Sequence, residues 1–201
     1  MRSSRRTLCV GWMLGLLLTV CRVSAELRIP IGNKQCNNWQ SVYNQMPAAW
    51  KTDRIIDISL SSEKRLRKLM DEGEGEREIG GDQVVEGGFW EGSDQPDADA
   101  TIVVLNSLKG ERGEHTFAHE YGHFVWDFKL TAYQQKIYQG IWEHQKAAGR
   151  LISSYAGTSV EEGFAEAFSA YLCERDKLHN HDLLSEKFLS ALAMGEKEEK
   201  P

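Results

Sequence analysis

The chain has 201 residues, with 24 Lys and Arg against 30 Asp and Glu, a formal net charge of −6 and a sequence pI near 5.6. A surface this acidic argues against nucleic acids and anionic membranes as partners. The length suffices for one compact domain with its own core.

Residues 1–25 read as a secretory signal peptide. Arg2, Arg5 and Arg6 precede an apolar run from Leu8 to Cys21, and Val23-Ser24-Ala25 offers a small-residue cleavage site. The run is too short for a comfortable membrane span. Removing these 25 of 201 residues takes away four Arg and no acid, so the remaining 176 carry a net charge of −10. Residues 26–201 are expected to form a single secreted, monomeric domain with no stable membrane association. Cys36 and Cys173 are the two Cys that remain. In an oxidising compartment they are candidates for one disulfide, with two buried free thiols as the competing reading.

Residues 35–50 carry Trp39, Val42, Tyr43, Met46 and Trp50 at helical intervals and predict a first helix. Arg54 to Leu60 alternates and is β-branched, which predicts a strand, and Ser61 or Ser62 caps a short helix through Met70. From Asp71 to Asp99 the composition turns acidic and Gly-rich, with eleven acids and one Arg. This segment reads as loops around a hairpin with strands at Gln83–Val85 and Gly88–Trp90. Phe89 and Trp90 are candidates for lining a substrate cleft. If the acids also lie near the cleft, they favour cationic peptides. Ala100 to Asn106 is the clearest strand.

The next stretch, His119-Glu120-Tyr121-Gly122-His123, carries chemistry. On a helix, positions i and i+4 share a face, so both imidazoles can bind one metal ion while Glu120 projects beside them. A Zn²⁺ held this way keeps an open position for a water, lowers that water's pKa to about 7, and leaves the carboxylate to take the proton. The competing reading is an amphipathic helix that buries Phe117, Ala118, Phe124, Val125 and Phe128 and leaves its His at a solvated edge. His115 also lies four residues from His119, but only the 119/123 pair brackets a Glu. His144, His179 and His181 lack matching partners.

A third ligand is needed. The HExxHxxGxxH pattern fails, because Trp126 and Lys129 stand at its Gly and His positions. That leaves an acid from a second helix, and the best candidates lie in the run Glu161-Glu162-Gly163-Phe164-Ala165-Glu166. Glu162 and Glu166 are another i,i+4 pair, of which one can ligate while the other orients a ligating His. Before them, Thr131 to Ala148 predicts a helix with Tyr133, Ile137, Ile141 and Trp142 on its buried side. After them, the helix continues to Cys173, a last one spans Asp182 to Met194, and 195–201 should fray.

Taken together, the HExxH followed by Tyr155, by Glu162 seven residues later and by Glu166 four beyond that resembles the catalytic domain of anthrax lethal factor. More closely, it resembles the secreted Pro-Pro endopeptidases. The resemblance covers His119 to about Tyr171. It implies an α+β, gluzincin-like zincin domain whose small mixed sheet packs on the HExxH helix and C-terminal helices. It further implies that His119, His123 and Glu162 hold one zinc ion, that Glu120 is the general base, and that Tyr155 donates a hydrogen bond to the tetrahedral intermediate. Glu166 would orient a ligand, and Glu161 would touch substrate. In such enzymes a sheet edge beside the HExxH helix binds extended peptide by strand addition, a role for Phe89-Trp90 or the strand after it. The implied function is zinc-dependent endoproteolysis of a peptide or protein substrate, with proline-flanked bonds the first to try. A catalytically inactive zinc-binding module is the alternative. One departure stands out: Gly163 occupies a position that is usually aromatic in that family.

Overall fold

The strands are of two kinds, the two longest formed by aliphatic runs and the two shorter ones not. In the computed structural model, which describes residues 26–30, 34–72, 85–92 and 97–195, they are β1 (Glu26–Arg28), β2 (Ile55–Ser61), β3 (Gly87–Glu91) and β4 (Ala100–Leu105). They form one four-stranded sheet in the order β1-β2-β4-β3, with β1, β2 and β4 parallel and β3 antiparallel to β4. Five of the six β4 residues are buried, which is why this strand reads as an unbroken apolar run: it lies inside the sheet and is covered on both faces. Residues 1–25, Gln83 and Val84, and the tail from 196 lie outside the described residues, and with them the signal-peptide reading and the fraying. The expected hairpin is not built from its described part. Val85 is in no strand, and β3 pairs instead with β4, Gly87 opposite Val104 and Glu91 opposite Ala100.

The helices are α1 (Lys34–Gln45), α2 (Glu63–Glu72), α3 (Glu111–Phe128), α4 (Ala132–Ala147), α5 (Val160–Cys173), α6 (Arg175–His181) and α7 (Leu183–Met194). The expected helix over 35–50 breaks because Pro47 cannot continue it: α1 stops at Gln45, and Ala48–Trp50 is a single 3₁₀ turn. Helix α4 begins where Thr131 and Gln134 form a reciprocal cap. Two short elements were absent from the sequence reading, β1 and α6, with three and seven residues. Neither is long enough to show a period. No described helix is long and apolar enough to cross a membrane.

Helix α3 is the centre of the domain. Every residue from Thr116 to Trp126 is buried, which excludes the amphipathic reading with solvated His. Phe117, Tyr121 and Phe124 pack with Trp39 and Phe168, and Tyr121 donates its hydroxyl to the Trp50 carbonyl at 3.0 Å. Each such aromatic contributes roughly 1.5–3 kcal/mol by burial. On its other side α3 meets α5, and Gly122 sets their spacing. A Cβ there would lie 3.0 Å from the Ala165 Cα, so only glycine allows the two backbones this close without a shift. Close approach matters because both helices carry polar groups that must meet.

Candidate metal centre

One turn of α3 separates His119 from His123, and the first turn of α5 brings Glu162 to them. The Ser159 hydroxyl caps α5 by accepting from the Glu162 backbone N–H at 3.1 Å. A Glu at this position often folds back onto the cap. Here its carboxylate turns to the histidines instead, and the positive end of the helix favours its charge. His119 Nε2 lies 3.1 Å from Glu162 Oε2 and 3.3 Å from His123 Nε2, and His123 Nε2 lies 3.4 Å from the same carboxylate oxygen. Among the described residues this is the one His, Cys, Asp and Glu group assembled closely enough to hold a metal ion.

The dimensions of the triangle fit zinc. Donors about 2.0–2.1 Å from a tetrahedral ion stand about 3.3–3.4 Å apart, close to the three separations found. The chemistry of the donors fits as well. His119 Nδ1 stands 3.0 Å from Glu166 Oε1, so it carries the proton and Nε2 faces Glu162 and His123. Lone pairs held this close in a buried site need a cation between them, whether a proton or a metal. Glu162 and Glu166 thus take different places: Glu162 is inside the triangle, and Glu166 is on the far nitrogen of His119.

A residue that sequence reasoning missed extends this arrangement. Ser153 donates to Glu166 Oε2 at 2.5 Å and accepts from the Ala156 N–H at 3.0 Å, which ties the metal cluster to the turn Tyr155–Gly157. No spacing rule connects Ser153 to α5, so nothing in the sequence could have marked it.

Burial alone would depress the His119 pKa, but the carboxylates of Glu162 and Glu166 outweigh it and raise it to about 10. Glu162 is held well below the usual carboxylate range: burial pushes it up, and both histidines more than reverse that. Glu166 is lowered in the same way, chiefly by His119. Without metal, His119 is therefore protonated at neutral pH, and an arriving cation must displace that proton. Zinc binding at pH 7 is expected to release about one proton. Since fewer protons compete as pH rises, apparent affinity should climb towards the His119 pKa, about 10. Titration in a weakly buffered indicator solution measures it, and proton-neutral binding would mean that His119 is not a ligand.

Glu120 is also buried, and its charge acts on His119. Strand β3 passes directly against it. A Cβ on Gly87 would lie 2.7 Å from Glu120 Oε1 and 2.9 Å from the Thr116 methyl, so the missing side chain makes the space in which Glu120 sits. Glu86, just before, accepts from the Thr116 hydroxyl at 3.1 Å and pairs with Arg112, which clips β3 to α3.

The remaining candidates stand as follows. Tyr155 is 41% exposed with its ring 5.9 Å from that of His119. Glu161 is exposed one residue before the triangle. Phe89 packs edge-on against Phe128, while Trp90 folds over Gly88 on the opposite face of the strand, and both pack against the core. β3 therefore reaches the cluster through Gly87, and neither aromatic lies in it. His115 is bound to Glu174 at 3.4 Å, outside the triangle, and His144, His179 and His181 are exposed. Cys173 is a free, exposed thiol, so the expected bridge to Cys36 is not made here. Sequence alone could not fix the separation of the two sulfurs, and the Cys36 side chain lies outside the described residues. Of the acids in 71–99, Asp97 pairs with Arg28, Asp99 accepts from the Ile55 N–H, and Glu86 pairs with Arg112. These three serve the sheet and its attachment to α3, which leaves the expected preference for cationic peptides without support among the described residues.

Compared with known proteins, the chain matches no family model and no curated sequence.

Proposed function

We propose that this chain is a secreted zinc metalloendopeptidase of the lethal factor-like and Pro-Pro endopeptidase kind that its motif resembles. The observation that carries the reading is the donor triangle of His119, His123 and Glu162 with a further buried carboxylate, Glu120, beside it. When bound, zinc supplies a Lewis acid that lowers the pKa of a water in its open coordination position. His119, His123 and Glu162 hold the ion, and Glu166 keeps the proton of His119 on Nδ1. Glu120 is outside the triangle and beside it, and its carboxylate takes the proton of the attacking water and passes it to the leaving amine. Tyr155, exposed beside His119, donates to the oxyanion that develops on the scissile carbonyl. β3 is an edge strand of the described sheet, and an extended peptide added to it runs past Gly87 and Glu120.

A peptide-library digest, begun with proline-flanked bonds and run with and without a chelator, tests the reading. The expected result is cleavage that stops with chelator and returns with zinc. Zinc binding with no cleavage of any peptide would leave a metal-binding module in its place. Tyr155→Phe should lower kcat by about 10²–10³-fold, the usual loss for one oxyanion donor, with unchanged zinc content. An unchanged kcat would reduce this Tyr to packing.

A further inference from the structure

Helix α4 presents Tyr138, Trp142 and Lys146 at intervals of four residues, hence on one face. All three donate hydrogen bonds to the backbone of the site. The Tyr138 hydroxyl donates to the Gly163 carbonyl at 2.8 Å, Trp142 Nε1 to the Ala156 carbonyl at 2.8 Å, and Lys146 Nζ to the Gly157 carbonyl at 2.7 Å. The acceptors belong to two separate pieces. Gly163 follows the ligand Glu162 in α5, and Ala156 and Gly157 follow Tyr155 in its turn.

Gly163 makes this grip possible. A Cβ there would lie 2.6 Å from Trp142 Nε1, closer still to its Cδ1, and 3.0 Å from the Ala156 carbonyl oxygen. The indole therefore fills the space that any side chain at 163 would need, and the aromatic group that the resemblance leads one to expect at 163 arrives from α4 instead. Lys146 lies over the same indole, 4.3 Å from its centroid, which steadies both donors. On its other side the turn is tied to His119 through Ser153 and Glu166. The turn that bears Tyr155 is thus anchored at one end to a metal ligand and at the other to a helix that also holds the residue after Glu162.

We infer that Trp142, assisted by Lys146, is a positioning residue that sets Tyr155 against the metal ligands, and that Gly163 is the space it requires. The inference rests on the peptidase reading only for what Tyr155 does, and stands apart from it for where Tyr155 is held.

Trp142→Phe keeps an aromatic ring beside Gly163 and deletes the donor to Ala156. Lys146→Met deletes the donor to Gly157 at an exposed position, and carries the test if the first variant does not fold. Hydrogen exchange of segment 151–158, followed by mass spectrometry on the full chain with zinc bound, should be about tenfold faster in either variant, with zinc content at the wild-type level. With a cleaved peptide, Trp142→Phe should lower kcat by about 10- to 100-fold at nearly constant KM, since a misplacement of ~1 Å can cost that much. In a Tyr155→Phe background the same change should cost less than about twofold. Unchanged exchange in the folded variants overturns the tether, whatever the activity. A full kcat loss that persists without the Tyr155 hydroxyl overturns the positioning role. If wild-type protein cleaves nothing, the exchange result still decides the tether, and the peptidase reading is what falls.

Discussion

Replacing Glu120 by Gln or Ala is expected to lower kcat by about 10²–10⁴-fold, the usual contribution of a general base, while one zinc per chain is retained. The expectation follows from the separation of roles in the cluster. The three donors that face one another belong to His119, His123 and Glu162, and Glu120 stands beside them against Gly87. Gln preserves the volume of a buried side chain that lies close to the β3 backbone, so the Gln variant separates loss of the base from loss of packing. Zinc content after dialysis and kcat on one peptide are the two measurements. Full activity in the Gln variant would remove Glu120 from the mechanism, and loss of zinc would make it a ligand.

Glu162→Ala is expected to abolish stable zinc binding, whereas Glu166→Ala should weaken it by only about 10–100-fold, the range seen when the partner of a ligating His is removed. Both side chains contact His119, at 3.1 Å and 3.0 Å, but on opposite ring nitrogens. Only Glu162 also approaches His123, at 3.4 Å. His123→Ala should behave as Glu162→Ala does. Competition against a chromophoric chelator gives the affinities, and the opposite order of the two Glu variants would mean that their roles are exchanged. A change in the metal also alters stability: binding to the folded chain adds RT ln(1 + [L]/Kd), so the Tm gained on adding zinc should vanish in Glu162→Ala and persist, reduced, in Glu166→Ala.

Helical periodicity made the cluster legible as two halves. The i,i+4 rule is local, and it correctly put the two His on one face of α3 and the two Glu on one face of α5. Two of the expected strands, at 54–60 and 100–106, fall within a residue of β2 and β4, because each alternates or runs apolar over enough residues to show. Short or context-bound elements did not show. β1 has three residues and α6 seven, whereas the strand expected at Gly88–Trp90 stands inside β3 and only its pairing with β4 was not marked by the local pattern. Phe89 and Trp90 stand out in the sequence because large apolar groups in an acidic loop are unexpected there, and in the sheet they are partly buried, on opposite faces of β3, and packed against the core.

By itself the sequence determined the donor types, their pairing on helix faces, and an acidic chain with material for one core. It could not say which of Glu162 and Glu166 meets the two histidines, since both lie on the same face one turn apart. That was decided by how α5 docks on α3, through the contact of Gly122 with Ala165, which brings the start of α5 level with the His pair. The same holds for Gly87, Ser153 and Trp142, each from a different part of the chain and each acting through a contact with an element distant in sequence. Periodicity reports how a segment faces its own axis. The register between segments is set by which side chains can fill the space between them, and that appears only when the core is packed.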